Sequence, residues 1–135
     1  PPTAERYLAV AARTVNYHSF GYALLLAGPD PPANATVDRL EPALWDAACA
    51  VRLGNDLASV RRDRAARALN VLDLRVRDGG PVTTRRSVRR RIARHARAHD
   101  QHLSSLTTPE LAGPARSLTR CLRVSIGLYR HSDLR

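Results

Sequence analysis

Asn55-Asp56-Leu57-Ala58-Ser59-Val60-Arg61-Arg62-Asp63 is the stretch from which the rest of the chain is read. Asn55, Ser59 and Asp63 stand four residues apart, twice. Four residues of α-helix turn about 400°, so each step drifts only about 40° around the axis. All three side chains therefore share one face over roughly 12 Å of rise, each leaning toward the helix N-terminus. Three oxygen-bearing groups on one stripe suit a hard divalent cation. Mg²⁺ takes oxygen ligands, keeps some waters and is commonly completed by phosphate oxygens of a substrate. Arg62, seven residues after Asn55, returns to the same face, and Arg61 points away from it. The same spacing also fits a polar helix end held by i,i+4 contacts.

The residues before the stretch sharpen the choice. Leu44, Ala48 and Val51 run into Asn55, Ser59 and Asp63 at helical steps. A face that begins as core and ends as candidate ligands is expected at the mouth of a cavity rather than on a solvated surface.

With those residues in place, Asn-Asp-x-x-Ser-x-x-Arg-Asp resembles the second metal-binding motif of the class I terpene synthases, with Asp in its last position. The resemblance implies that Asn55, Ser59 and Asp63 chelate one Mg²⁺ and that Arg62 contacts a substrate diphosphate. It implies an all-α fold, the second half of a class I terpenoid synthase α-helical barrel. Residues 1–135 would then be a single domain, incomplete without an Asp-rich N-terminal half. The first metal motif of that family, Asp-Asp-x-x-Asp/Glu, is not in this sequence, where no two acidic residues are adjacent.

Composition bounds the alternatives. The 135 residues carry a net charge of +10, which by itself points to nucleic acid. All 22 basic residues are Arg, however, and none is Lys. That pattern is expected of a genome-wide compositional bias, so the nucleic-acid reading is discounted. Cys49 and Cys121 fit no metal spacing and read as thiols rather than a disulfide. No apolar run is long enough to span a membrane, and no basic-then-apolar leader opens the sequence. A cytoplasmic protein is expected.

Along the chain, residues 3–27 read as one helix with Thr3 as N-cap and Leu8, Ala12, Val15, Ser19 and Tyr22 as its inner stripe. Tyr7, Tyr17, Phe20 and Tyr22 in this segment either pack a core or line a cavity where π faces stabilise a cation. Residues 28–34 are a Gly/Pro loop. Thr36 is expected to cap the next helix, with Pro42 marking a kink or a later start near Glu41. That helix carries Trp45 and the motif to about Ala66. Residues 68–77 are apolar on alternate positions and fit either a strand or a short helix, the resemblance favouring a short helix from near Asn70, and a loop at 78–81 follows. A helix from Thr83 or Thr84 to about Leu106 holds Arg85, Arg86, Arg89, Arg90, Arg91, Arg94 and Arg97 on a solvated face. His95, His99 and His102 share a stripe there, but no acid or Cys completes a convincing metal site with them. Thr108 caps the last helix, whose inner stripe is Leu111, Leu118, Leu122, Ser125 and Tyr129.

The resemblance assigns further roles. It places a helix break midway through the first helix, with Val15-Asn16 as the candidate. It makes Arg13 the diphosphate-sensing Arg in a shifted register. Tyr129 and Arg135, six positions apart, match an aromatic-to-Arg spacing that closes bacterial members, making Arg135 a diphosphate contact. Tyr17, Phe20, Trp45 and Tyr129 would line the pocket. The implied reaction is Mg²⁺-dependent ionisation of a prenyl diphosphate followed by carbocation cyclisation. Asn16-Tyr17-His18-Ser19-Phe20 favours geranylgeranyl over farnesyl diphosphate. The implied partners are the prenyl diphosphate and a chain or segment bearing the Asp-rich half; self-association into a homo-oligomer is the other assembly. The competing reading is an Arg-rich nucleic-acid-binding or inactive structural module.

Overall fold

The computed structural model describes residues 2–27, 34–75, 82–106 and 108–131. The fold is all-α, with five helices among the described residues: α1 (Ala4–Thr14), α2 (Tyr17–Leu26), α3 (Asn34–Ala65), α4 (Arg85–Ser104) and α5 (Pro109–His131). A 3₁₀ turn, Val71–Asp73, lies between α3 and α4. The described residues contain no strand, only isolated bridges that tie Arg75 to Thr3 and to Val82.

α3 is the axis of the molecule, and the other four helices pack on it. Leu40, Ala43, Leu44, Ala47, Ala48, Ala50 and Leu53 are all fully buried. A helix apolar on nearly every side can only be central. The many Ala let its neighbours approach closely. Gly21 shows the same economy on α2, since a Cβ there would sit 2.4 Å from Leu44 Cδ2. The helix begins at Asn34, two residues before the expected cap at Thr36. It also runs through Pro42 without stopping. Pro42 removes one hydrogen bond, to the carbonyl of Asp38, and Asp38 is exposed, so water can take that acceptor.

The first segment is two helices rather than one. Asn16 adopts the left-handed conformation at φ 55°, which Asn tolerates better than most residues. The break falls at Val15-Asn16 and resets the helical phase. α2 buries Tyr17, Gly21 and Leu25, while Ser19, expected on the inner stripe, is exposed.

α4 starts where Thr84 accepts from the backbone N–H of Ser87 while Ser87 reaches back to the N–H of Thr84. This reciprocal cap satisfies two donors that the helix start leaves free. Leu111, Leu118 and Leu122 of α5 are buried, with Ser125 and Tyr129 half-buried. Both cysteines are free thiols. Residues 28–33 of the expected loop at 28–34, and the loop at 78–81, lie outside the described residues, while Asn34 opens α3 instead of ending the loop.

The histidines of α4 meet α3. Asp46 lies 2.7 Å from His95 Nδ1 and 3.2 Å from His102 Nε2. An acid from another helix thus joins the pair, although no group of three such residues among the described ones is placed to hold a metal ion. His99 is fully buried, with Nδ1 2.8 Å from the carbonyl of Ala43. A carbonyl only accepts, so Nδ1 carries the proton and the buried Nε2 has no partner. Burial holds His99 below its ordinary value of 6.5. The folded chain therefore binds fewer protons there than the unfolded chain, and stability falls as pH drops through about 6.5. In thermal melts between pH 7 and 5, His99→Gln should lose less stability on acidification than the wild type. Parallel curves for the two proteins would refute this.

Candidate metal-binding face of helix α3

The last turns of α3 gather the polar groups of the motif. Ser59 donates from Oγ to Asp63 Oδ2 at 2.6 Å, the i,i+4 contact that the spacing allows. The chain then leaves the helix through Arg67, at φ 53°. The N–H of Ala68 bonds the carbonyl of Asp63 at 2.8 Å. This tight exit turns the chain back along α3, so that Asn70 lies against the helix it has just left. Asn70 is fully buried, and its amide nitrogen donates to Asp63 Oδ2 at 2.8 Å and to the carbonyl of Asp56 at 2.9 Å. Its amide oxygen accepts from Leu72 N–H at 3.1 Å, capping the 3₁₀ turn.

Burial pushes the Asp63 carboxyl up, but hydrogen bonds from Ser59 and Asn70, helped by Arg62 and Arg52, outweigh it and hold the group below the usual carboxylate value. Asp63 is therefore anionic at neutral pH. Arg62 Nε lies 4.0 Å from Asp63 Oδ1, and its side chain is 77% exposed. Asn55 is half-buried one turn before Ser59. The three candidate ligands thus occupy one stripe, with Ser59 and Asp63 in direct contact. The donor set fits Mg²⁺: one anionic carboxylate, one amide and one hydroxyl, all able to offer oxygen. The Ser59 proton is committed to Asp63, which leaves the hydroxyl lone pairs free.

Beside this stripe lies a second, closed network. Asp56 is fully buried. Tyr7 donates to its Oδ2 at 2.8 Å, and the N–H of Val71 approaches the same oxygen at 3.3 Å. Arg52 Nη2 stands 2.8 Å from Oδ1, paired by distance though not aligned as a hydrogen bond. The Arg52 guanidinium also bonds the Tyr7 hydroxyl and lies 5.4 Å over its ring. Burial raises the Asp56 carboxyl, against the pull of Arg52 and Tyr7. Burial, followed by the Asp56 charge, likewise raises the Tyr7 hydroxyl. The cluster joins α1, α3 and the 3₁₀ turn, and so fixes the end of α3 that bears the motif.

One turn before Asn55, Val51 enters an open groove of about 750 Å³ between α2, α3 and α5. Tyr17, Phe20, Val124, Leu128 and Tyr129 contribute to its lining, together with Asn16 at the break. Phe20, Val124 and Leu128 are 54%, 63% and 67% exposed, so much of this hydrocarbon faces outward. The Tyr17 hydroxyl is buried without a hydrogen-bond partner. Burial, and the neighbouring Cys121 thiol after it, push that hydroxyl up. A smaller cavity of about 450 Å³ lies between α3, α4 and α5, with Arg89 and Tyr129 on its wall.

Two expected site residues lie elsewhere. Trp45 is not part of either cavity's lining. It sits between the Arg13 guanidinium, 5.7 Å from its ring, and the His18 ring at 6.1 Å. Its helical position turns it toward α1 and α2 rather than the groove. Arg13 is thereby held beside Trp45, which stands about five turns, or roughly 27 Å, along α3 from Asp63. Arg135 lies outside the described residues. Arg52 and Asn70 were not singled out as site residues from the sequence, and Tyr7 was named only as one of four aromatics that pack a core or line a cavity. Only the Asn70-Val71-Leu72 pattern, a polar cap before two apolar residues, signalled one of them. No protein-family model, curated protein or solved structure matches this chain.

Proposed function

We propose that this chain is the part of a class I terpene synthase that carries its second metal motif, and that it binds a prenyl diphosphate through Mg²⁺. The observation that carries the reading is the Ser59–Asp63 contact at 2.6 Å, on the stripe that Asn55 shares and that Val51 leads into the groove. Asn55, Ser59 and Asp63 would hold the ion. When bound, Mg²⁺ supplies positive charge that stabilises diphosphate as a leaving group. Arg62, exposed on the same face, would add a second cation for the diphosphate. The groove's hydrocarbon would exclude water from the allylic cation, and the π faces of Tyr17, Phe20 and Tyr129 would stabilise it. Geranylgeranyl diphosphate is the favoured substrate over farnesyl diphosphate, in the cytoplasm. An Asp-rich segment would cover the exposed apolar side of the groove and supply the first metal motif.

The test is turnover of each prenyl diphosphate with Mg²⁺, by the chain alone and with a polypeptide bearing Asp-Asp-x-x-Asp/Glu helices. Hydrocarbon product from the combination alone is the expected result. Product from the chain alone would overturn the need for a partner, and none from any combination would overturn the reading. Within that assay, Arg62→Ala should weaken inorganic diphosphate binding by about tenfold, the scale of one charge-assisted contact. Arg61→Ala should leave it unchanged. Equal effects in calorimetric titrations would reject the assignment of Arg62.

A second reading rests on α4, where Arg86, Arg89, Arg90, Arg94 and Arg97 are exposed. A row of exposed guanidinium groups suits a polyanion such as nucleic acid. That reading requires binding which weakens steeply with salt and is indifferent to Asn55→Ala.

A further inference from the structure

We infer that Asn70 is a positioning residue for the metal site, orienting Asp63 so that it binds the cation through Oδ1 alone. The inference rests on the metal-binding reading above and names a group outside the motif. Asp63 Oδ2 already accepts two hydrogen bonds, from Ser59 at 2.6 Å and from Asn70 at 2.8 Å. Those two donors occupy the oxygen and fix the plane of the carboxylate. Oδ1 is the oxygen left to a cation, and it is also the one that faces Arg62 at 4.0 Å.

Asn70 suits this task because it cannot easily move. It is fully buried, its amide also donates to the carbonyl of Asp56, and its oxygen is committed to Leu72 N–H. Those two bonds settle which end of the amide is nitrogen, since a carbonyl only accepts and an N–H only donates. The nitrogen is therefore the end that faces Asp63. The exit turn through Arg67 supplies the geometry by returning the chain to the helix within one short loop. Groups that orient a metal ligand without touching the metal commonly govern affinity by about 10- to 100-fold. The Ser59 hydroxyl depends on the same arrangement. With its proton held by Oδ2, its lone pairs stay free for the cation; a rotated Asp63 would release that proton.

The experiment uses the full chain, Mn²⁺ and inorganic diphosphate, with bound Mn²⁺ read by its paramagnetic resonance signal. Asn70→Asp keeps an oxygen for Leu72 N–H and loses the amide donor. Asn70→Ser keeps a capping hydroxyl and loses the reach to Asp63 without adding charge. Both should remain helical by circular dichroism and bind Mn²⁺ at least tenfold more weakly. Asp63→Ala is the reference for loss of the site. Weakening by Asp63→Ala with both Asn70 variants within twofold of the wild type would overturn this inference alone. Mn²⁺ affinity untouched by Asp63→Ala would overturn the metal reading and this inference with it. If both Asn70 variants lose the helical fold, Asn70 serves the fold and the inference is overturned.

Discussion

Arg52→Met should cost about 3–5 kcal/mol of stability, the typical penalty for leaving one partner of a buried ion pair alone. Asp56 is fully buried, and the Arg52 side chain is only 17% exposed, so solvent cannot replace the lost guanidinium. Met preserves much of the aliphatic stem, so the loss reports the charge rather than a cavity. Against a total of about 5–15 kcal/mol for a domain, the thermal midpoint should fall by about 10 °C or more. Asp56→Asn in the same background should recover most of the loss, since the amide oxygen still accepts from Tyr7 and Val71. The pH dependence has a definite sign. The Asp56 carboxyl is already raised above 3.8 by burial, and removing Arg52 raises it further. The folded variant then binds the proton more tightly than the unfolded chain, so its stability is fullest in acid and is lost as pH rises above that value. Denaturant unfolding at pH 5 and pH 7 measures both effects. A loss under about 1 kcal/mol at pH 7 would place this pair among exposed ones and reject the argument.

On the proposed terpene synthase reading, Asp63→Ala or Asn55→Ala should lower Mg²⁺-dependent turnover with the Asp-rich partner by about 100- to 1,000-fold, several kcal/mol of lost charge stabilisation. Helicity should be unchanged. Both residues lie on the last turns of α3, outside the fully buried set, and Ala is the best helix former. Removing Asp63 frees Ser59 and one bond of Asn70, yet Asn70 keeps its bond to the carbonyl of Asp56. The two substitutions should not add, because each removes one ligand of a single site. Product formation within about threefold of the wild type by either variant would reject the proposed ligands; a matched loss of helicity would mean that the effect was structural.

The stripe of α5 and the run of Leu44, Ala48 and Val51 on α3 were legible because buried positions recur in 3.6-residue steps. The reading of residues 3–27 as one helix failed at Val15-Asn16, where only the family resemblance placed the break, because a single left-handed Asn leaves no compositional mark. The expected inner position of Ser19 failed with it. The position of Trp45 off the groove was not legible for a related reason. Type alone suggests a pocket aromatic, whereas its angle on α3 points it toward Arg13 and His18. The stripe of Asn55, Ser59 and Asp63 followed from spacing alone. The roles of Asn70 and Tyr7 did not, because they depend on how an exit turn and a packed helix return to α3. Tyr7 meets Asp56 from 49 residues away, a separation that no local pattern encodes.

The break at Asn16 alters the electric field of the groove. An unbroken helix over these residues would place its two ends well away from the groove's middle. Two helices place the carbonyl end of α1 and the N–H end of α2 together beside Tyr17, and Asn16 makes no side-chain cap there. Each helix end behaves as about half an elementary charge, negative at the first and positive at the second. Their sum is close to zero, but they are not superimposed, so the groove acquires a short-range dipole made of backbone alone. A guest lying across Asn16 would meet a wall of hydrocarbon side chains interrupted by polarity of both signs.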